Sequence, residues 1–437
     1  MGTSKKVCVI GAGPSGLVTA RELQRGGHTP VVYEQHQDVG GQWLYQPNTT
    51  NPTHSSVYES LRTAVPREVM GFTDFPFEAR KGGPGGDTRT FPGHREVWSY
   101  LKDFCDCFGL YDVVRFNTRV VYVGMPEFVE IGGGEEIKWI VRSEVRRVGD
   151  AGEVVAAEEE VFDAVVVATG EFSHPRLPAI RGMDTWKGKQ LHSHIYRTPD
   201  MFRDEVVVIV GSSLSGREIS LELTRVAKSV HLSSKATVPS EGLSNTISKY
   251  DNFHYHSQIV SLEEDGKVLF EHGSWVTADT IIYCTGYSYE YPFLDTRGIV
   301  TVDDDRVGPL YEHTFPPLLA PSLSFIGLPR KIIAFYFNEL QAKWVSEVLA
   351  GKLTLPSSED MMESAIQFYH SKDVAGIPKR KTHEIGDFEY CDRFADRAGF
   401  QRAEEWKKRV VLLSATQFDA DIETYRDSFE DGGCLYL

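Results

Sequence analysis

The sequence predicts an α/β fold with two parallel-sheet domains, the second inserted into the first. Three observations carry that expectation. Two short apolar runs, Lys6 to Ile10 and Val206 to Val210, each open directly into a glycine turn and then a helical pattern. Two later apolar runs, Val161 to Ala168 and Thr280 to Cys284, each end in Thr-Gly, at Thr169-Gly170 and Thr285-Gly286. The chain of 437 residues exceeds one ordinary domain of roughly 100–200 residues but suits two or three.

The first unit is the more complete. Lys6 to Ile10 reads as a buried parallel strand. It meets Gly11-Ala12-Gly13-Pro14-Ser15-Gly16, and Leu17, Ala20 and Leu23 then fall on one helical face that closes at Gly26-Gly27. A second strand, Pro30 to Tyr33, ends in Glu34. A G-x-G-x-x-G turn between strand and helix is the dinucleotide-binding, Rossmann-type arrangement. The first glycine permits the tight turn, the second lets backbone approach a pyrophosphate, and the third lets helix and strand pack closely. Free N–H groups at the helix start then face the anion. A carboxylate about 20 residues on can bind ribose hydroxyls.

Between the units the chain is mixed. Residues 44–94 read as irregular, with a flexible glycine loop at 81–87, and Arg95 to Phe108 as an amphipathic helix. Residues 118–167 are β-rich. They are interrupted by Gly132-Gly-Gly134 and by the acidic run Glu158-Glu-Glu160, expected on a solvated hairpin edge. Residues 171–204 form a Pro-rich connector.

The second unit is a degenerate copy, Gly211-Ser212-Ser213-Leu214-Ser215-Gly216, with serine at the middle glycine. A helix from Ser215 to Lys228 and a strand from Ser229 to Leu232 follow. That strand ends in Ser233-Ser234-Lys235 with no acid. Hydroxyls and a cation there suit a ribose 2′-phosphate and favour NADP over NAD, ahead of the alternative that Lys235 is an ordinary surface lysine. Beyond residue 290 the structure is mixed, with a helix at Asn338 to Leu349 and further charged helices at 400–430. Two such units suggest FAD in the first, where Glu34 suits a neutral ribose, and NADPH in the second. The expected division is 1–170 with 290–437 for FAD, and 171–289, connector included, for NADPH.

Bulk properties exclude several classes. The net charge of −16 argues against nucleic acid or an anionic membrane as partner. No run approaches ~20 apolar residues, no signal peptide is evident and the C-terminus lacks a prenylation pattern, so the expectation is cytoplasmic, with peripheral membrane association left open. The six cysteines are scattered without a Cys-x-x-Cys pair, so no metal site is expected. The two-dinucleotide disulfide reductases, which need a dithiol, are disfavoured.

Several further stretches carry a resemblance: Gly40-Gly41-Gln42-Trp43, Ser60-Leu-Arg62-Thr63, Pro66-Arg-Glu-Val-Met-Gly71, Phe91-Pro-Gly-His-Arg-Glu96, Cys284-Thr-Gly-Tyr287 and above all Trp186-x-Gly188-x-x-x-His192-x-x-x-Tyr196. Over nearly its whole length the chain resembles the class B flavin-dependent monooxygenases, most closely the plant flavin-containing type that oxygenates sulfur, as in glucosinolate-like side chains. The last motif is similar to that family's F-x-G-x-x-x-H-x-x-x-Y/F signature, with Trp for Phe.

The resemblance implies NADPH reduction of FAD, O2 addition to give a C4a-hydroperoxyflavin, and attack by a thioether sulfur or amine nitrogen of a small molecule. It places flavin contacts at Gly41, Gln42 and Trp43, though Trp43 could be plain core. It places catalytic positions at Thr63 and Ala64. Arg62 pairs either with phosphate or with a surface carboxylate, His192 serves chemistry or braces the linker, and Thr285-Gly286 closes a strand beside cofactor. Two departures border this site. The family pattern Arg-Thr-Asn reads Arg62-Thr63-Ala64 here, replacing a hydrogen-bond donor by a methyl. The loop from Trp43 to His54 also looks short. Ala64 keeps a second reading open: an uncoupled NADPH oxidase or a non-catalytic flavin- and NADPH-binding regulatory protein.

Overall fold

The computed structural model describes residues 4–47, 54–79, 86–127, 136–146 and 153–433. The glycine stretches at 82–85 and 132–134, residues 48–53 of the loop after Trp43, and the Cys434 tail lie outside them.

Two five-stranded parallel sheets organise the chain. In the first, β1 (Lys6–Ile10) lies between β2 (Thr29–Tyr33) and the strand Ala164–Val167, with Leu323–Phe325 and Val114–Arg115 at the edges. In the second, Val206–Val210 lies between Ser229–Ser233 and Thr280–Tyr283, with Phe253–His256 and Lys189–His192 at the edges. The first sheet takes its edge strand Leu323–Phe325 from beyond all of the second, so the second Rossmann-like unit is inserted into the first.

Both sheets are covered on both faces, as parallel sheets require. The period of two decides which side chain goes where. Val7 and Val9 join a core with helices α1 (Pro14–Arg25), α2 (His94–Phe108) and α5 (Ala334–Leu349). Cys8 and Ile10 face the opposite core, which holds Trp139, Val141 and Phe162 of a four-stranded sheet whose strands Thr118–Gly124, Trp139–Arg146 and Val154–Phe162 run antiparallel. Val207 and Ile209 pack in one core with α3 (Leu214–Leu223) and Leu243 of α4 (Glu241–Ile247), while Val208 joins Phe270 and Trp186 on the other side.

A buried ionic cluster ties α1 to α5. Arg21, 1% exposed, meets Glu22 at 2.7 Å, Asp74 at 2.6 Å and Glu339 at 3.0 Å. Glu339 also receives Lys343 at 2.7 Å and the Thr73 amide at 2.7 Å. Each buried charge therefore has several partners, the condition under which burial is tolerated.

Three boundaries differ from those read in the sequence by more than one residue. The run Val161 to Ala168 is two strands, Val154–Phe162 and Ala164–Val167. Asp163 divides them because its carboxylate accepts from the Lys6 amide at 2.6 Å and from Lys138 at 2.6 Å as the chain passes from antiparallel to parallel sheet. The helix expected to reach Lys228 ends at Leu223. Asn252 Nδ2 takes the freed carbonyls of Thr224 and Ala227 at 2.9 and 3.2 Å, so the chain can turn into the next strand. Helix α5 begins one turn early, at Ala334. The acidic run Glu158–Glu160 does lie on an exposed edge strand, although Glu160 turns back to Lys6 and Arg115.

Candidate functional site

The first glycine turn is built as its spacing requires. Gly11 has φ +104°, and a Cβ there would sit 2.7 Å from the Ala168 carbonyl oxygen. A Cβ on Gly16 would run into the Gly11 carbonyl oxygen. A Cβ on Gly41 would come within 2.9 Å of the Gly13 Cα, so Gly13 and Gly41 bring two stretches of bare backbone together. No side chain caps α1, and its first turn holds no acid, which leaves its N–H groups for an outside anion.

A cavity of ≈ 580 Å³ opens at this turn. Gly11, Gly13, Pro14, Ser15, Glu34, Gly41, Gln42 and Trp43 line it, while Ala12 and Gly16 lie just behind. Glu34, 4% exposed, accepts the Ala12 amide at 2.8 Å on one oxygen and the His36 amide at 2.9 Å on the other. Burial pushes its pKa up to about 7, and those amides pull it back. Val65, Met70, Ile333 and Phe335 make another part of the wall apolar.

The second turn repeats the backbone. Gly211 has φ +107°, a Cβ on it would sit 2.5 Å from the Cys284 carbonyl oxygen, and a Cβ on Gly216 would strike the Gly211 carbonyl oxygen. Ser213 is the N-cap of α3, which likewise has no side-chain cap. The serine at the middle position, Ser213, holds φ −79°, ordinary extended backbone. Ser212 and Ser234 share a hydrogen bond at 2.7 Å, and the Lys235 side chain is exposed beside them. Ser213, Leu214 and Ser215 are exposed too, so this turn faces solvent rather than the large cavity.

Other expected site residues are placed apart from that cavity. Arg62 donates to the Phe91 carbonyl at 2.9 Å and pairs with Asp427 at 2.8 Å, the carboxylate alternative. Thr63 is buried with an unpartnered hydroxyl, and Ala64 is exposed. Neither lines the cavity, but Val65 does. His192 Nδ1 accepts from the His194 amide at 3.0 Å and so caps a short turn. Burial and the neighbouring His194 lower its pKa to about 4. Thr285 donates to the Arg176 carbonyl, and Gly286 has φ +82°.

The rest of the Trp186 motif is scaffold. A Cβ on Gly188 would enter the Trp186 ring, and the Tyr196 hydroxyl donates to Glu222 of α3 at 2.6 Å.

Sequence reasoning missed several wall residues. Asn338 donates to Ser15 Oγ at 2.9 Å across the turn. His36 and His54 approach with ring centroids 5.7 Å apart, and burial lowers His54 to about 4. Glu171, paired with Arg330 at 3.2 Å, is raised by burial to about 7. Its position directly after Thr169-Gly170 was the one local signal.

Comparison with known proteins places the whole chain in a family. The profile of the FMO-like family, described as flavin-binding monooxygenase-like, matches residues 4–240 and 238–403. Flavin-containing monooxygenase FMO GS-OX-like 9 of Arabidopsis thaliana is 57% identical over 443 residues, covering 98% of this chain and 94% of that protein. The structure of S-allyl-L-cysteine S-oxygenase from Allium sativum superposes with a TM-score of 0.89 at 45% identity, covering 99% of this chain and 97% of the other. Tmm from Pelagibacter sp. strain HTCC7211, at 24% identity and a TM-score of 0.80 over 97% of this chain and 93% of its own, shares the fold. A family match over nearly the whole chain and a relative 57% identical over 98% of it decide the question: the chain belongs to the flavin-binding monooxygenase-like family as a flavin-containing monooxygenase.

Proposed function

We propose that this monooxygenase uses FAD and NADPH to place one oxygen atom of O2 on a soft nucleophile of a small molecule, a thioether sulfur ahead of an amine nitrogen. The observation that carries the cofactor assignment is the asymmetry of two otherwise equivalent turns. The first opens into a cavity of ≈ 580 Å³ with a buried carboxylate beside it; the second meets solvent with paired serines and an exposed lysine. FAD suits the first and the 2′-phosphate of NADPH the second. In this reading residues 1–170 and 290–437 hold FAD, and 171–289 hold NADPH.

When bound, FAD supplies the redox chemistry and the activation of O2. The chain's own work is to bind, orient and exclude water. The bare backbone at Gly13 and Gly41 admits a pyrophosphate to the start of α1. Glu34 accepts ribose hydroxyls. Trp43, Val65, Met70 and Phe335 make part of the wall apolar and would keep water from the reacting site. Ser212, Ser234 and Lys235 hold the phosphate of the nicotinamide cofactor. Thr285-Gly286 ends the strand beside that turn, as Thr169-Gly170 does beside the first.

Sulfur is favoured because the Allium relative, 45% identical, is an S-allyl-L-cysteine S-oxygenase. The test is to incubate FAD-loaded protein with NADPH, O2 and S-allyl-L-cysteine, and to quantify sulfoxide and peroxide together. Sulfoxide matching NADPH consumption is expected. Peroxide alone supports the uncoupled reading that Ala64 favours, and protein that holds no flavin overturns both.

A further inference from the structure

A second cavity, ≈ 190 Å³, lies away from both glycine turns, between α6 (Ser358–Val374), α7 (Phe388–Ala398) and the loop 310–313. Glu312 and His313 both hold left-handed backbone there, φ 48° and 54°. His313 Nδ1 lies 2.8 Å from His383 Nδ1, and both rings are buried.

The proton positions follow from one chain of hydrogen bonds. The Val307 amide donates to His383 Nε2 at 3.1 Å, so that nitrogen carries no proton. Burial lowers both histidines, His313 to about 3, so both are neutral. His383 therefore keeps its proton on Nδ1 and donates to His313 Nδ1. The His313 proton is then on Nε2. His313 forms part of the cavity wall, with Ser364 and Arg393.

The charges nearby are unequal. The Glu312 carboxylate is already taken by Arg397 and by the Tyr390 hydroxyl at 2.8 Å. Arg393 reaches Asp387 and Glu389 only at 3.6 and 3.7 Å. The remaining wall includes the rings of Phe368 and Phe394.

We propose that this cavity binds a compact organic carboxylate, whose oxygens accept from His313 Nε2 and the Ser364 hydroxyl beside Arg393 and whose apolar body packs on Phe368 and Phe394. A fixed donor, a mobile donor and a cation around an apolar floor select an anion over a neutral molecule.

Benzoate and its neutral analogue benzamide test this by calorimetry on FAD-loaded enzyme. One benzoate per chain is expected, with benzamide about tenfold weaker or worse. Arg393→Gln, a change at an exposed side chain, and Ser364→Ala should each weaken benzoate about fivefold while FAD content and NADPH consumption stay unchanged. Absence of binding at about 10 mM benzoate, equal binding of the two probes, or unchanged binding in both variants would overturn the proposal.

Discussion

Ala64 is the residue at which this chain departs most sharply from its own resemblance. Its methyl is exposed, directly after the buried Thr63 and directly before Val65 on the cavity wall. One missing donor near developing charge is worth roughly 1–3 kcal/mol. Ala64→Asn is therefore expected to lower the peroxide formed per NADPH several-fold and raise sulfoxide yield, read by assaying both products; an unchanged ratio would show that position 64 does not govern coupling. Glu34 gives a second prediction, on pH. Its pKa rises from 4.5 to about 7 on folding, so the stability from its neutral form is complete below about 4.5 and is lost as pH climbs through about 7. His54 and His192, lowered to about 4 by desolvation, act with the opposite sign. The diagnostic is thus the difference between wild type and Glu34→Gln without cofactor, in which the histidines cancel. From about pH 5 to 8, wild type should lose on the order of 3 kcal/mol relative to the variant in chemical denaturation.

The strand–turn–helix element occurs twice with one backbone and two purposes, which makes matched substitutions informative. A Cβ on Gly16 or on Gly216 meets the carbonyl oxygen of the first glycine in its own turn, a backbone atom that cannot swing away. Gly16→Ala is expected to cost roughly 1–3 kcal/mol and to yield colourless protein, by absorbance. Gly216→Ala should keep the flavin yet lose its reduction by NADPH in anaerobic mixing. Loss of flavin in both variants would contradict separate roles for the turns. These elements were legible in the sequence because their causes are local: an apolar run, glycines at fixed spacing, an acid at the strand end. Boundaries failed where distant partners set them, as when the Lys6 amide and Lys138 capture Asp163 and split one apolar run into two strands. Helix α6 went unread although Ser357 caps it, accepting the Asp360 amide at 3.1 Å, because its apolar residues show little periodicity. The site divides the same way. Gly11 to Gly16, Glu34 and Gly41 to Trp43 form a continuous local motif, whereas Asn338 and His54 arrive from elements whose approach only the packed fold determines.

At the scale of the whole molecule, the C-terminal segment from the last turn of helix α8 (Glu405–Ala420) onward joins the two sheets' surroundings. Asp419 pairs with Arg217 of α3 at 2.8 Å, and Glu423 with Lys249 at 3.1 Å, both on the side of the second sheet. Arg426 reaches the other way, donating to the Thr63 carbonyl at 2.9 Å while also pairing with Glu218 of α3. Glu218 accepts the Tyr58 hydroxyl at 2.7 Å as well, so one nearly enclosed carboxylate on α3 gathers groups from two other parts of the chain. A buried pair of this kind adds little over an apolar substitute, but removing one partner strands the other. Arg426→Ala should therefore cost about 3 kcal/mol, and Glu218→Gln added to it should recover part of that loss, with a coupling energy of about 1–3 kcal/mol in a double-mutant cycle. The same variant should separate flavin release from loss of far-ultraviolet circular dichroism on heating, because the strap then no longer couples the surroundings of Thr63 to α3. Coincident transitions at the wild-type midpoint would show that the two units are held together elsewhere, at the Ser60–Glu222 and Tyr196–Glu222 hydrogen bonds that share the same helix.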